Sequence, residues 1–299
     1  MQRLSPVMSY GAQALIVLLG LLLLGNSSHA QLAVQDDRGV VVQLESPAAR
    51  IISLAPSLTE MLFEVGGGDR IVGTVEYSDY PAEATAIPVI GRFDRIDVEA
   101  IVAMQPDLVI AWDTGNPTDA VNQLTELGMT VYVAEPKTLA SIASHLRRFA
   151  TLVGEEALGN RRAQAFLQDY ESLQARYNTS KPIPVFYQLW NAPIITAGGN
   201  ELINDVITLC GGENIFADIP LMAPKVSKEA VLVREPQVII ASGLAEERPQ
   251  WLDEWLAWDS LPAVQHNRLY SIPPAILQRH TTRVLQGAER MCEYIDSAR

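Results

Sequence analysis

The segment VEAIVAMQPDLVIAW, from Val98 to Trp112, is echoed by KEAVLVREPQVIIAS, from Lys228 to Ser242. The two segments align without a gap and match outright at five positions, while most of the others exchange one aliphatic residue for another. Each has the pattern of a short helix, a proline and a buried strand. The match is either a chance likeness of two such units or a duplication, and a duplication predicts two similar lobes.

The sequence around the first copy favours a parallel sheet. Apolar runs RIISL, RIVGTV, DLVIAW and MTVYVA alternate with stretches of helical period such as SLTEMLFEVGG and NPTDAVNQLTELG. This alternation is typical of an α/β fold. Ser57 with Glu60 three positions later predicts a capping box at the start of the first helix.

The most strongly helical stretch lies between the two copies, from Glu155 to Tyr177, after Gly154. Such a helix is about 34 Å long. It is either a stiff bridge between two α/β lobes or an amphipathic surface helix of one lobe. The predicted organisation is a signal peptide (1–30), an N-terminal extension (31–49), an N-terminal lobe (50–153), a connecting helix (154–180) and a C-terminal lobe (181–299).

Composition narrows the function classes. The 299 residues are 48% hydrophobic, and 22 basic against 35 acidic side chains give a net charge of -13. Such an anionic chain repels nucleic acid and anionic lipid.

The first thirty residues predict export. They hold Arg3, the apolar run ALIVLLGLLLLG and then NSSHA, which is typical of a secretory signal cleaved after Ala30. The alternative is a permanent membrane anchor, although the run is shorter than the ~20 residues that span a bilayer. We therefore expect a soluble exported protein.

Catalytic motifs are missing from the sequence. It contains no G-x-S-x-G elbow, no phosphate-binding P-loop and no G-x-G-x-x-G after a strand. His145, His266 and His280 are isolated, which disfavours a metal site, and His280 in the polar run QRHTTR is expected on the solvated surface. We predict no enzyme activity, no metal and no catalytic cofactor, with a carboxylate pair such as Asp79 with Glu99 or Asp113 as the distant alternative.

Aromatic side chains follow several predicted strands. Trp112 and Trp190 each end a strand, Tyr77 follows RIVGTV, and Phe93 lies in the loop after IPVI. The carboxyl ends of parallel strands face the ligand crevice, so these rings either line a site for a large planar ligand or cap the core.

The duplicated helices carry matching acids. Asp97 and Ser227 are predicted N-caps, which puts Glu99 and Glu229 in the first turn of equivalent helices. The carboxylates either meet the helix dipole or form a pseudo-symmetric docking surface for a dimeric partner with arginines.

Cys210 and Cys292 lie 82 positions apart. In an oxidising compartment they either pair or remain two buried thiols.

The chain resembles the periplasmic solute-binding proteins of cobalamin (corrinoid) ABC importers, within the wider group that also carries siderophores and haem. The resemblance runs from about Arg50 to Ala298. It rests on RIISLAPSLTEMLFEVG, YSDYP, DLVIAWDTGN, LCGGENIF and VSKEAVL.

The resemblance implies a monomeric periplasmic protein of class III, with two Rossmann-like ligand-binding lobes that have parallel sheets and are joined by a long helix. It implies that the chain captures cobalamin or a related corrinoid between the lobes and delivers it to an inner-membrane permease dimer with ATPase subunits. It assigns permease docking to Glu99 and Glu229, and a disulfide to Cys210 and Cys292. The implied ligand contacts are Tyr77, Phe93, Trp112, Trp190 and Arg279.

The chain departs from the family pattern mainly in the C-terminal half of the cleft. Aromatic or acidic side chains expected there are replaced by Leu189, Ala223, Ala275, Ile276, Leu277 and Gln278. A less aromatic lower-ligand side suggests a different lower base or an incomplete corrinoid such as cobinamide. The alternative cargo is haem or a ferric siderophore, with Tyr77, Arg279 or His280 as contacts.

Overall fold

The duplicated segments each form a short helix followed by a parallel strand. In the computed structural model the first copy gives α2 (Val98–Ala103) and β7 (Leu108–Trp112), and the second gives α7 (Lys228–Val233) and β12 (Val238–Ala241). The Asp97 carboxylate and the Ser227 hydroxyl accept from the backbone N–H three residues on, at 3.0 and 3.2 Å, so both predicted N-caps are confirmed.

The structure describes residue 2 and residues 31–177, 181–242 and 248–299. Apart from Gln2, the predicted signal peptide lies outside the described residues. Leu32–Arg299 form one compact unit. Every helix in the described ranges is too short or too polar to cross a membrane.

The first sheet is parallel and has the order β4-β3-β7-β8. Its other strands are β3 (Ile51–Ser53), β4 (Ile71–Gly73) and β8 (Val131–Ala134). Two further strands, β5 (Gly91–Arg92) and β6 (Arg95–Ile96), pair with each other as a separate hairpin. The helices of this half of the chain are α1 (Pro56–Glu64), α2, α3 (Thr118–Glu126) and α4 (Leu139–Val153).

The second sheet has the order β10-β9-β12-β13, and β11 also pairs with β9. Its pairings are parallel except that of β10 with β9. The strands besides β12 are β9 (Ile183–Trp190), β10 (Ile195–Thr196), β11 (Gly212–Asn214) and β13 (Leu269–Ser271). Its helices are α6 (Leu202–Leu209), α7, α8 (Pro262–Gln265) and α9 (Val284–Asp296).

One helix, α5 (Glu156–Tyr177), runs in the chain between the two sheets. Its 22 residues span about 33 Å. It packs against α4 on one side and against α6 and α9 on the other. The helix predicted over 155–177 is confirmed.

The largest apolar cluster is continuous through both sheets, from Ile51 and Phe149 to Val185, Ile203 and Met291. The opposite face of each sheet has its own smaller cluster. Burial on both faces is what parallel sheets require. Each sheet is therefore packed on both faces, and the core on one of these faces is common to the two sheets.

The N-terminal extension forms a hairpin of β1 (Leu32–Gln35) and β2 (Val41–Leu44). Its turn reaches α4, where Asp37 Oδ2 lies 2.6 Å from Nε2 of the buried His145 and Asp37 Oδ1 accepts from Arg148 at 2.8 Å. The hairpin is therefore fixed to the first lobe by charge as well as by packing.

Cys210, at the end of α6, is bonded to Cys292 in α9 with an S–S distance of 2.05 Å. The predicted disulfide is confirmed, and the alternative of two buried thiols is wrong.

The capping box predicted for α1 is also wrong. The helix begins at Pro56 after Ala55, whose side chain makes no cap bond. Pro is favoured at this position because its missing N–H would have no partner there. The Glu60 carboxylate is instead bonded to Thr281 and Arg283.

Candidate functional site

A cavity of about 530 Å³ lies between the loops that follow β8 in the first sheet and those that follow β10 in the second. The first sheet contributes Thr114 and residues 135–138, and the second half of the chain contributes residues 199–202, 204 and 205 with Met222 and His280. The cavity is therefore an interlobe cleft.

The charged side chains in the cleft lining are mostly acidic. Buried Glu135 accepts from Thr114 N at 2.9 Å and lies 3.4 Å from Trp112 Nε1. On the other wall Glu201 faces His280, and Asp205 accepts from Leu139 N at 2.8 Å. Lys137 is the basic residue of this lining, against the carboxylates of Glu135, Glu201 and Asp205. The lining therefore carries a net negative charge.

His280 does not lie on the solvated surface as predicted. Its side chain is only 8% exposed and its Nε2 is 3.3 Å from Glu201 Oε1. The polar side chains beside it, in residues 279–283, are bonded to carboxylates from the first half of the chain, those of Glu60, Glu64 and Asp79.

Phe93 and Trp112 form one aromatic wall. Their ring centroids are 5.8 Å apart and both side chains are half-buried. Asn116 holds the two backbones together: its amide donates to Phe93 O at 2.8 Å and to Leu54 O at 2.9 Å, and its Oδ1 accepts from Trp112 N at 2.6 Å. Sequence reasoning missed Asn116, although it lies in the DLVIAWDTGN motif.

Tyr77 projects from a firmly anchored loop. Its side chain is exposed and its φ of 66° is in the left-handed region that bulky residues rarely adopt. Beneath it the buried hydroxyls of Thr59, Thr74 and Ser78 are linked at 2.7 and 2.8 Å. An unusual backbone held by a buried network is typical of a residue with a positioned role.

Arg279 joins this loop from the second half of the chain. Its Nη1 donates to Asp79 Oδ1 at 2.7 Å and its Nη2 donates to Tyr77 O at 2.9 Å. The structure therefore brings Tyr77 and Arg279 together, and Phe93 with Trp112. Trp190 stands apart: it ends β9, donates from Nε1 to Ala192 O, and makes no ring contact with another predicted aromatic in the described ranges.

The residues that depart from the family pattern differ in how deeply they are buried. Ile276 and Leu277 are buried in the central core, so they cannot reach a ligand without repacking. Leu189 and Ala275 are half-buried, and Ala223 is exposed. Gln278 donates to Ser242 O, at the end of β12, at 3.3 Å.

Glu99 and Glu229 are exposed on the first turns of α2 and α7. Hydrogen bonds from its own backbone N–H and from Ser227 lower the pKa of Glu229 below its usual value. Each helix also carries an exposed valine about one turn later, Val102 and Val233, with exposed fractions of 41% and 83%. Each exposed carboxylate therefore has an exposed apolar side chain about one helical turn away.

Two parallel-sheet lobes, a long helix in the chain between them and an interlobe cleft define a class III periplasmic binding protein. The chain belongs to the periplasmic binding protein family, whose family model matches residues 51–276. No group of three His, Cys, Asp or Glu side chains in the described residues could hold a metal ion.

The chain is similar to proteins of known cargo. It is 39% identical over 253 residues to the vitamin B12-binding protein of Vibrio cholerae serotype O1, covering 84% of this chain and 91% of that protein. A crystal structure of the periplasmic vitamin B12 binding protein of Vibrio cholerae has a TM-score of 0.78 and 38% identity, with 84% and 98% coverage. A periplasmic heme-binding protein from Roseiflexus, at 24% identity, TM-score 0.73 and coverage of 84% and 100%, shows only the shared fold.

Proposed function

We propose that the chain is a periplasmic solute-binding protein that captures cobalamin or a related corrinoid in the interlobe cleft and delivers it to an ABC importer. The observation that carries the proposal is a cleft bounded by both lobes, beside the Phe93–Trp112 wall, in a chain 39% identical to a vitamin B12-binding protein. Tyr77, Phe93, Trp112, Trp190 and Arg279 are the proposed ligand contacts. The function is capture and release, with no bond made or broken.

The charge of the cleft favours a corrinoid over haem or a ferric siderophore. Glu135, Glu201 and Asp205 face the cavity, and carboxylates repel the anionic groups of haem and of ferric siderophores. The peripheral amides of a corrinoid are neutral and donate hydrogen bonds that carboxylates accept well. The less aromatic positions 189 and 223 fit a ligand with a different or missing lower base.

A spectral titration of the mature protein tests the cargo. We expect micromolar or tighter binding of cyanocobalamin or cobinamide, and Trp112→Ala should weaken it at least tenfold because it removes half of the aromatic wall. Trp258→Ala is the matched control, because it removes a tryptophan that is 37% exposed and, unlike Trp112, is not bonded to Glu135 of the cleft lining. A Soret band on adding haem, without a response to corrinoids, would identify the protein as a haem carrier.

Docking on the permease is assigned to Glu99 and Glu229. Both carboxylates are exposed, lie at equivalent places in the duplicated unit and have an exposed valine nearby, which suits a dimeric partner with arginines. We expect Glu99→Ala with Glu229→Ala to abolish corrinoid uptake in cells while leaving ligand affinity unchanged. Glu126→Ala with Glu213→Ala, an equal change in charge at exposed sites elsewhere, should leave uptake intact. Equal loss of binding and uptake in the first variant would contradict docking.

Export through residues 1–30 completes the proposal. The intact mass of the secreted protein should correspond to a chain that begins at Gln31. Its elution volume in gel filtration should correspond to a monomer. A mass that retains residues 1–30 in the membrane fraction would instead indicate an anchor.

A further inference from the structure

Glu60 is a buried carboxylate on α1 whose partners all come from the other half of the chain. Its side chain is 3% exposed. Oε1 accepts from Thr281 Oγ1 at 2.8 Å and from Arg283 Nε at 2.5 Å, and Oε2 accepts from Arg283 Nη2 at 2.8 Å. Arg279 Nη1 lies 3.6 Å from the same Oε2.

The bonds on either side extend this contact. One turn further along α1, Glu64 Oε2 accepts from Thr282 Oγ1 at 2.7 Å. The Arg283 guanidinium carbon is 3.8 Å from the centroid of the Tyr80 ring. Arg279 bonds Asp79 and the Tyr77 carbonyl on the same loop. Residues 279–283 are thus held against both α1 and residues 77–80.

The charges within this contact balance. Two guanidiniums, of Arg279 and Arg283, meet the carboxylates of Glu60 and Asp79, and three of these side chains are at most 16% exposed. Separating a buried pair leaves an uncompensated charge, which is far more unfavourable than losing a surface pair. The contact therefore resists opening of the lobes at this edge of the cleft.

Residues 279–283 include two side chains near the proposed ligand, those of Arg279 and His280. Arg279 precedes His280, which lines the cleft, and Tyr77 lies on the opposing loop. Whatever fixes residues 279–283 also fixes the distance between these groups. Glu60, at the centre of the bonds, does not line this cleft; it lines a second cavity of about 560 Å³ between α1 and residues 282–286.

We propose that Glu60 is a positioning residue of the corrinoid site: by binding Thr281 and Arg283 it holds Arg279 and His280 at a set distance from Tyr77 and limits separation of the lobes. This inference rests on the proposed function. It predicts that loss of the Glu60 charge loosens the cleft without removing a ligand contact.

The test compares Glu60→Gln with Glu64→Gln. Gln at 60 has nearly the same shape but leaves Arg283 without a carboxylate. Gln at 64 still accepts from Thr282 and loses only the charge interaction with Arg162, which lies outside residues 279–283. The probe is cyanocobalamin, with its dissociation rate measured by stopped flow. Spin labels at Asn122→Cys and Gln265→Cys, exposed positions on α3 and α8, report the interlobe distance in the ligand-free protein.

We expect Glu60→Gln to release cyanocobalamin at least tenfold faster and to broaden the interlobe distance distribution, while Glu64→Gln matches the wild type. A Glu60→Gln protein that equals the wild type in either readout overturns the proposal. If Glu60→Gln does not fold, Arg283→Lys replaces it, since Lys keeps the charge but loses the two-point bond. If the wild type binds no corrinoid, the proposed function fails, and the distance measurement alone decides the role of Glu60 in lobe spacing.

Discussion

At the scale of single residues, Asn116 is the side chain on which the aromatic wall depends. It satisfies three backbone groups, Leu54 O, Phe93 O and Trp112 N, and is only 5% exposed. Removing a buried partner costs about 1–3 kcal/mol for each group left unsatisfied. We expect Asn116→Ala to lower the free energy of unfolding by about 3 kcal/mol or more and to weaken corrinoid binding, because Phe93 and Trp112 lose their common anchor.

Urea unfolding and ligand titration measure both effects. Asn122→Ala, at an exposed position on α3, is the control and should change neither. An Asn116→Ala protein with wild-type affinity would mean that the Phe93–Trp112 pair holds its place without Asn116.

The residues near the cleft differ in how far the sequence could predict them. Trp112 ends a predicted strand, so the strand pattern alone places it at the carboxyl edge of the first sheet. Phe93 lies in the turn of a separate two-stranded hairpin, between Gly91–Arg92 and Arg95–Ile96, and the strand pattern does not place it beside Trp112. The bond between Arg279 and Tyr77 joins positions 202 apart, and no local pattern encodes it. His280 was predicted at the surface because its neighbours are polar, but its partner, Glu201, lies 79 positions away.

At the scale of elements, the contact between the β1–β2 turn and α4 predicts a pH dependence. Burial raises the pKa of Asp37, but hydrogen bonding and charge from His145, with further bonds from Glu135 N and Arg148, lower it well below its usual value. A carboxyl with a lowered folded-state pKa stabilises the fold above its unfolded pKa, near 3.9, and loses that contribution as the pH falls through the folded value.

We therefore expect Asp37→Asn to destabilise the protein by about 1–3 kcal/mol at pH 6, with the difference from the wild type shrinking steadily below about pH 4. Urea unfolding between pH 2.5 and pH 7 measures it. Asp259→Asn, at an exposed position, is the control. A difference that stays constant over the whole range would contradict an ionised Asp37 in the folded state.

The elements themselves were predictable where periodicity was strong. The alternation of apolar runs and helical stretches gave the strands of the first sheet, and the long helix ended at Tyr177 as predicted. The β1–β2 hairpin was described only as an extension, because two strands of four residues leave a weak alternating signal. The capping box failed because Glu60 bonds residues that only the tertiary fold brings near.

At the scale of the whole molecule, the core shared by both lobes and the Cys210–Cys292 disulfide predict cooperative unfolding. The disulfide closes a loop of 82 residues within the second half of the chain. By the chain-entropy estimate, removing a disulfide that closes a loop of this length lowers the free energy of unfolding by up to about 4.5 kcal/mol. Because the same apolar cluster includes Ile51, Phe149, Val185 and Met291, destabilising one lobe should destabilise the other.

We expect Cys210→Ala with Cys292→Ala to lower the midpoint of thermal unfolding by several degrees while keeping a single transition. Hydrogen exchange should quicken in β7 and β8 as well as in α6 and α9. Intact mass of the wild type should be lighter by about 2 Da than the reduced form, which verifies the starting bond. Two separate transitions, with exchange in β7 and β8 unchanged, would show that the lobes unfold independently and that the shared core does not couple them.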